Sequence, residues 1–180
     1  MQYRTSATPG QAPPHPSWAG AGLSDAMAAV VGGARRRAVR DGDRQVDTAH
    51  LLHSLVESDL EVRGAFDGGP QLARVLGYLV QRSIGYGLRW QDTQEGPGAL
   101  PAVREPGGEG WSPAAAAALD RATRAALRRG ETRADGLDLL GELVADPRCR
   151  AVEVLERAGV VTERLAAQVA ERIAGRSSAG

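Results

Sequence analysis

Two histidines lie three positions apart in the segment DTAHLLHSLV, residues 47–56. On a helix, His50 and His53 would lie close to one face and could supply two ligands to a metal ion. Metalloprotease helices, however, use an i, i+4 spacing with a glutamate between the ligands, whereas two leucines fill the gap here. The spacing therefore favours a non-metal role, in which His50 forms hydrogen bonds near the helix start and His53 is exposed.

A second segment, DGLDLLGELV, residues 135–144, follows the first at a distance of 88 positions (135 − 47). It keeps the initial aspartate, the pair of leucines and the final Leu-Val, but it contains neither histidine. The shared part of the two segments consists of a helix start and a core stripe. Whatever the segment does as a repeated unit, it does not do with histidine.

Arginines cluster near the middle and end of the helices that precede these two segments, and they could bind phosphate backbones. Basic and acidic residues are balanced, however, at 22 each, and only 4% of residues are aromatic. This balance favours a solvated helix face, with an anionic ligand in a groove or a nucleic acid as the alternatives. The arginines are Arg35, Arg36, Arg37, Arg40, Arg124, Arg128 and Arg129, and the acidic residues expected to balance them include Asp41, Asp43, Glu57 and Glu61.

The composition excludes several kinds of chemistry. All 22 basic residues are arginines, so the lysine of a P-loop and the amine of a Schiff base are both missing. Cys149 is the only cysteine, which excludes an internal disulfide and a cysteine-rich zinc site. As a nucleophile it would need a base and a lowered pKa; Arg148 and Arg150 could lower the pKa, but that half has no histidine. We expect a protein without catalytic activity.

The N-terminal segment lacks the apolar core of a signal peptide. No run approaches the roughly 18 apolar residues of a membrane span. We therefore expect a cytoplasmic protein without a membrane partner.

The elements that must position these residues are helices that occur in two copies. The first copy should begin with a helix capped by Ser24 and ended by Gly42, followed by a helix that begins at Asp47-Thr48. Two further helices are predicted for Leu60–Phe66 and from Pro70 onward. The second copy repeats this order, with helix starts at Ser112 and Asp135, a short helix around Val152–Leu155 and a last helix from Thr162.

The two copies align without a gap from Ser24 and Ser112 to Val56 and Val144. They share helix caps, glycine stops and core positions, which is typical of an internal repeat. The sequence predicts an all-α protein, an eight-helix pseudo-twofold bundle formed by two tandem four-helix repeats. The predicted divisions are a flexible tail at 1–22, repeat one at 23–84, a Gly/Pro-rich linker at 85–110, repeat two at 111–175 and a tail at 176–180.

The repeated unit of helix, glycine, polar segment and T-x-H-L-L-x-x-L resembles the Clp N-terminal domain, also called the Clp repeat domain. The resemblance covers Leu23 to about Ala174, and it is the two-repeat layout, more than the short motif, that makes it specific. Repeat one carries it at Gly42, Thr48, His50, Leu51, Leu52 and Leu55, and repeat two at Gly130, Leu139, Leu140, Leu143 and 158–160.

The resemblance implies a non-catalytic protein-binding module that receives substrates and docks adaptor proteins for a Clp-type AAA+ unfoldase. With no P-loop lysine, the chain is expected to be a stand-alone, actinobacterial member without the ATPase modules. Its partners would be a Clp-type unfoldase or the client proteins of that unfoldase, and cyclic-peptide ligands are a further class known in the family. It would act as an adaptor, a decoy or a regulator of Clp-dependent proteolysis, or it would sequester Clp-directed ligands. No cofactor is implied, and a small nucleic-acid-associated regulator is the alternative.

The motif of the family usually reads Thr-Glu-His, and its glutamate contacts the guanidinium group of phosphoarginine. Ala49 and Leu137 stand at that position here, and an apolar side chain cannot pair with a guanidinium. Asp138 is one residue further on, about 100° round the helix, and is not expected to substitute. These differences argue against phosphoarginine binding in the usual way.

The ligand surface is expected on the pseudo-twofold axis, where the starts of the second and sixth helices approach each other. The predicted ligand- and peptide-binding residues are Asp47, Thr48, His50, Asp135 and Asp138.

Overall fold

The computed structural model describes Trp18, residues 22–84, Glu95 and residues 110–177. These residues form eight helices and two short strands, which confirms the predicted all-α, eight-helix architecture. The first repeat contains α1 (Asp25–Asp41), β1 (Gln45–Val46), α2 (Thr48–Ser58), α3 (Leu60–Gly64) and α4 (Gly69–Ser83). The second contains β2 (Gly110–Trp111), α5 (Pro113–Arg128), α6 (Gly136–Val144), α7 (Arg150–Arg157) and α8 (Thr162–Ser177).

The first helix of each repeat begins and ends as the sequence predicts. The Ser24 hydroxyl accepts the Met27 N–H at 3.2 Å. The equivalent Ser112 hydroxyl accepts the N–H three residues further on at 3.1 Å. Gly42 and Gly130 follow the two helices with φ of 73° and 83°, a left-handed conformation that costs glycine little.

Two short parallel pairings join the repeats. Val46 lies opposite Trp111 in the pairing of β1 with β2, and Leu23 bridges Ala134. In each case the residue just before the first-helix cap of one repeat pairs with the residue just before the second-helix cap of the other. The two pairings are exchanged by the same 88-residue offset that relates the sequences, so the repeats are related by a pseudo-twofold axis.

The second helix of each repeat lies in the centre of the bundle. Helix α2 contacts α1, α3, α4, α5, α6 and α7. All residues from Thr48 to Val56 are buried as a result. The expectation that His53 is exposed is therefore wrong, since its side chain lies between α2 and α1 and the residue is only 5% exposed.

The predicted domain boundaries stay a prediction, because most of the tail and of the linker lies outside the described residues. Two residues from those segments are described, and both are buried: Trp18 from the predicted tail and Glu95 from the predicted linker. Within the described part of the chain, no helix has both the length and the apolar character that crossing a bilayer requires.

Candidate functional site at the starts of α2 and α6

Asp47 and His50 form a reciprocal cap at the start of α2. The Asp47 carboxylate accepts the His50 backbone N–H at 3.0 Å, and the Asp47 N–H donates to His50 Nδ1 at 3.1 Å. The other ring nitrogen, Nε2, lies 3.1 Å from the Asp43 carboxylate. Burial alone would lower the pKa of His50, but the Asp43 and Asp47 carboxylates outweigh it and raise the pKa above its ordinary value.

Asp47 is fully buried and is the centre of an ion-pair network that links the two repeats. Arg82 on α4 pairs with it from the same repeat, and Arg150 on α7 reaches it from the other repeat at 2.7 Å. Burial works to raise the pKa of Asp47, but His50 and the two arginines lower it well below its ordinary value. The Asp47 carboxylate therefore stays ionised. Through its two arginine partners it links the start of α2 to α4 in the same repeat and to α7 in the other repeat.

The arrangement of Asp43, Asp47 and His50 is close enough to consider a metal ion. Arg82 already contacts both carboxylates of this group, at 3.1 Å from Asp43, so the protein supplies the cation itself. His53 does not join the group, because its Nε2 lies 3.0 Å from Glu57 instead. The two histidines therefore contact different carboxylates and do not form one ligand pair.

Thr48, another predicted site residue, forms hydrogen bonds to Glu95, which the sequence did not indicate as part of the site. Its backbone N–H donates to the Glu95 carboxylate at 2.9 Å, and its hydroxyl donates to the same group. Glu95 comes from a segment rich in glycine and proline, where no periodicity singles out one side chain. Only the folded arrangement brings it to the α2 start.

Asp135 and Asp138 form the equivalent cap at the start of α6. The Asp135 N–H donates to Asp138 at 3.0 Å, and the Asp135 carboxylate accepts the N–H of Leu137 at 2.9 Å. Arg129 pairs with Asp138, and Arg176 on α8 pairs with Asp135. Burial, together with the negative charge of Asp135, raises the pKa of Asp138. The five predicted residues therefore lie in two clusters, one at each helix start.

The two clusters differ in how accessible they are. Asp47, Thr48 and His50 are buried, whereas Asp135 is half-buried and pairs with Arg176, which lines an open cavity of about 290 Å³. This cavity, which we call the α6 cavity, is lined by Glu61, Leu137, Arg172, Gly175 and Arg176. A ligand can therefore reach the repeat-two start more easily than the repeat-one start.

The arginine clusters have partners within the protein. Arg37 pairs with Glu57, and Arg124 pairs with Asp120 one helical turn away. The guanidinium of Arg35 lies over the Trp111 ring, 5.3 Å from its centroid. Because these contacts use much of the positive charge internally, the geometry does not favour a phosphate-backbone surface.

Cys149 does not have the environment of a nucleophile. Its thiol is buried and donates to the Leu143 carbonyl at 3.3 Å. Burial raises the pKa of this thiol to about 11, so the thiolate form is scarce near neutral pH. The neighbouring arginines do not lower it as the sequence allowed.

No protein-family model matches the chain, and no curated protein matches its sequence. Solved structures match its fold. The Hsp104 N-terminal domain from Candida albicans superposes with a TM-score of 0.61 and 12% identity, over 82% of this chain and 89% of that chain. The N-terminal domain of the caseinolytic protease associated chaperone ClpD from Arabidopsis thaliana gives 0.57 and 14%, over 84% and 94%.

A chain from a malarial protein secretion system is similar as well, with a TM-score of 0.59 and 16% identity, over 83% of this chain and 93% of that chain. The chain therefore has the fold of Clp and Hsp104 N-terminal domains, as the repeated motif predicts. At sequence identities of 12% to 16%, these similarities show a shared fold and nothing beyond it.

Proposed function

We propose that this chain is a non-catalytic protein- and peptide-binding module, related to the N-terminal domains of Clp unfoldases, that acts as an adaptor, decoy or regulator of Clp-dependent proteolysis. Its partner would be a Clp-type AAA+ unfoldase or a client protein of that unfoldase. The observation that carries the proposal is the fold, which extends over 82% and 84% of the chain in the Hsp104 and ClpD comparisons.

Two features of the site agree with a binding role. The titratable groups at both helix starts are engaged in caps and ion pairs, which leaves them no free acid or base for catalysis. The α6 cavity is open to solvent and has both charged and apolar lining residues, as a peptide site requires. Of the five predicted residues, we assign ligand contact only to the half-buried Asp135, whose partner Arg176 lines the α6 cavity. The buried Asp47, Thr48, His50 and Asp138 would hold the helix starts in place.

The chain offers a matched pair of variants to test this surface. A Cβ built at Gly175, which lines the α6 cavity, meets no atom within 4 Å, and the same holds at Gly77 on α4. Both glycines are exposed helix positions. Gly175→Trp should therefore fill the cavity without disturbing the backbone, while Gly77→Trp adds the same side chain elsewhere.

The experiment is a native pull-down from the source cells, with the wild type and both variants as tagged baits and mass spectrometry of the eluates. We expect a Clp-type unfoldase or its clients with the wild type and Gly77→Trp. Gly175→Trp should recover about tenfold less, which corresponds to about 1.4 kcal/mol of binding free energy. Equal recovery by all three baits would exclude the α6 cavity as the binding surface.

Recovery of nucleic acid without any Clp-related protein would contradict the proposal and support the alternative. Salt dependence distinguishes the two, because binding to phosphates weakens steeply as salt concentration rises. Binding of a partly apolar peptide should change little over the same range.

A further inference from the structure

Glu95 is a buried carboxylate that accepts four hydrogen bonds from described residues in other segments of the chain. Its Oε2 accepts the Thr48 N–H at 2.9 Å and the Ser112 hydroxyl at 2.8 Å. Its Oε1 accepts the Arg150 N–H at 2.6 Å and the Thr48 hydroxyl. Each oxygen thus has two donors among the described residues, and Glu95 is only 4% exposed.

The four donors have little freedom to do anything else. The Thr48 hydroxyl accepts the Ala151 N–H at 3.0 Å, and the Ser112 hydroxyl accepts the Ala115 N–H at 3.1 Å. With their acceptor capacity directed at these N–H groups, both hydroxyls turn their protons towards Glu95. The other two donors are N–H groups at the first turns of α2 and α7, which carry the positive end of the helix dipole. This donor set fits a group that only accepts hydrogen bonds.

Both repeats build the site, and the donors found among the described residues all lie outside the segment that carries Glu95. Thr48 belongs to repeat one, whereas Ser112 and Arg150 belong to repeat two. Thr48 and Arg150 are the first residues of α2 and α7, and Ser112 is the cap of α5. These described donors belong to the two repeats, and Glu95 is bound between them as a ligand would be.

The charge near the site favours one negative charge over two. The buried Asp47 carboxylate lies close by and is held by the Arg150 side chain, the residue whose N–H binds Glu95. Burial first, and then the charge of Asp47, raises the pKa of Glu95. A second negative charge, as in a phosphate dianion, would meet the same repulsion twice over.

We propose that the donors of Thr48, Ser112 and Arg150 form a carboxylate-binding site, which Glu95 occupies as an internal ligand and for which an acidic side chain of a partner polypeptide competes. The identity of the partner rests on the proposed function, but the site itself does not. An acidic segment that displaces Glu95 would bind across both repeats.

The test uses the full chain with Glu95→Ala, isotopically labelled, and follows the backbone amide resonances of Thr48 and Arg150. The probes are sodium acetate, inorganic phosphate, and the capped tripeptides Ala-Glu-Ala and Ala-Gln-Ala. In the variant we expect saturable shifts of both amides with acetate and the glutamate peptide. Phosphate and the glutamine peptide should bind about tenfold more weakly, because they add a second charge or place an amide N–H against donors.

Wild type should require about a hundredfold more acetate than the variant, since Glu95 competes at a high effective concentration. Adding Thr48→Val to Glu95→Ala removes one donor at nearly constant volume and should weaken acetate binding. A folded Glu95→Ala variant whose Thr48 and Arg150 amides do not respond to acetate would overturn the proposal, and so would preference for phosphate. If the variant folds but is too unstable for amide spectra, its thermal midpoint at low temperature serves instead, and failure of acetate to raise that midpoint above matched chloride would overturn the proposal. These outcomes involve no client or unfoldase, so they are independent of the pull-down.

Discussion

Arg82 on α4 pairs with Asp47 at the start of α2, and the two side chains are 7% and 0% exposed. Arg176 on α8 forms the same pair with Asp135 at the start of α6, where the side chains are 32% and 29% exposed. The pseudo-twofold relation therefore extends to a long-range ion pair in each repeat. The two pairs have the same chemistry and differ in burial, which makes them a natural comparison.

Arg82→Met should destabilise the protein far more than Arg176→Met. Loss of one partner from a buried pair leaves an uncompensated charge and costs about 3 kcal/mol, while an exposed pair contributes about 0–1 kcal/mol. Asp47 keeps Arg150 as a partner, which places the Arg82 effect at the lower end of the buried range. The measurement is the free energy of unfolding from urea titration of both variants.

Asp47→Asn in the Arg82→Met background is the control, since it removes the buried carboxylate that has lost one of its two arginine partners but keeps a capping side chain. We expect it to recover part of the lost stability. Equal losses in the two single variants would mean that burial of the pair is not what determines its contribution.

Local signals explain why so much of the fold is predictable from the sequence. Ser24, Ser112, Gly42 and Gly130 act through contacts within a few residues, and their caps and stops form in the structure as expected. The apolar periodicity likewise needs only the helix geometry. The offset between the repeats then implies the pseudo-twofold arrangement.

Features that depend on distant segments are not predictable in this way. Glu95 and Trp18 are single residues in segments without periodicity, and nothing local distinguishes them from their neighbours. The position of His53 on α2 gives no local sign that the residue is buried, but α1 packs against α2 and brings Arg37 close to His53. Burial of that kind is decided by tertiary packing.

His53 should make the protein less stable as the pH falls. Burial first, and then the nearby Arg37, lowers the pKa of His53 from 6.5 to about 4 in the folded state. The unfolded chain therefore binds the proton at higher pH than the folded chain does. The His53 contribution to the free energy of unfolding should be constant above pH 6.5 and should decrease as the pH falls towards 4.

The measurement is the urea midpoint of wild type and His53→Gln from about pH 7.5 to about pH 4.5. His50 acts in the opposite direction, because its pKa is raised; its contribution is present below 6.5 and is lost as the pH rises through the folded-state value. The difference between wild type and His53→Gln cancels the His50 contribution. A difference that does not change with pH would contradict the environment assigned to His53.

Cys149 should react slowly with thiol reagents in the folded protein. The thiol is buried, and its raised pKa of about 11 leaves little thiolate. Labelling by Ellman's reagent at about pH 8 should therefore follow the rate of local or global opening and should accelerate in urea. Glutathione under the same conditions is the control for intrinsic reactivity. Rapid, complete labelling without urea would show that the α7 start is more accessible than the structure indicates.

Trp18 should stabilise the bundle although it comes from the predicted tail. Its ring packs edge-on against the Trp111 ring, with centroids 5.1 Å apart and planes at 76°. Both tryptophans are buried, and Trp111 also belongs to the strand pairing that joins the repeats. Trp18 therefore packs against a residue that helps to join the two repeats.

Trp18→Ala should lower the free energy of unfolding by about 3–5 kcal/mol, the range found when a large aromatic side chain is removed from a core. Trp18→Phe keeps an aromatic ring and should lose markedly less. A double-mutant cycle with Trp111→Phe would measure the ring–ring contribution, which is expected to be about 0.5–1.5 kcal/mol beyond burial alone. Wild-type stability in Trp18→Ala would mean that Trp111 packs equally well without its partner, and the tail would then have no part in holding the repeats together.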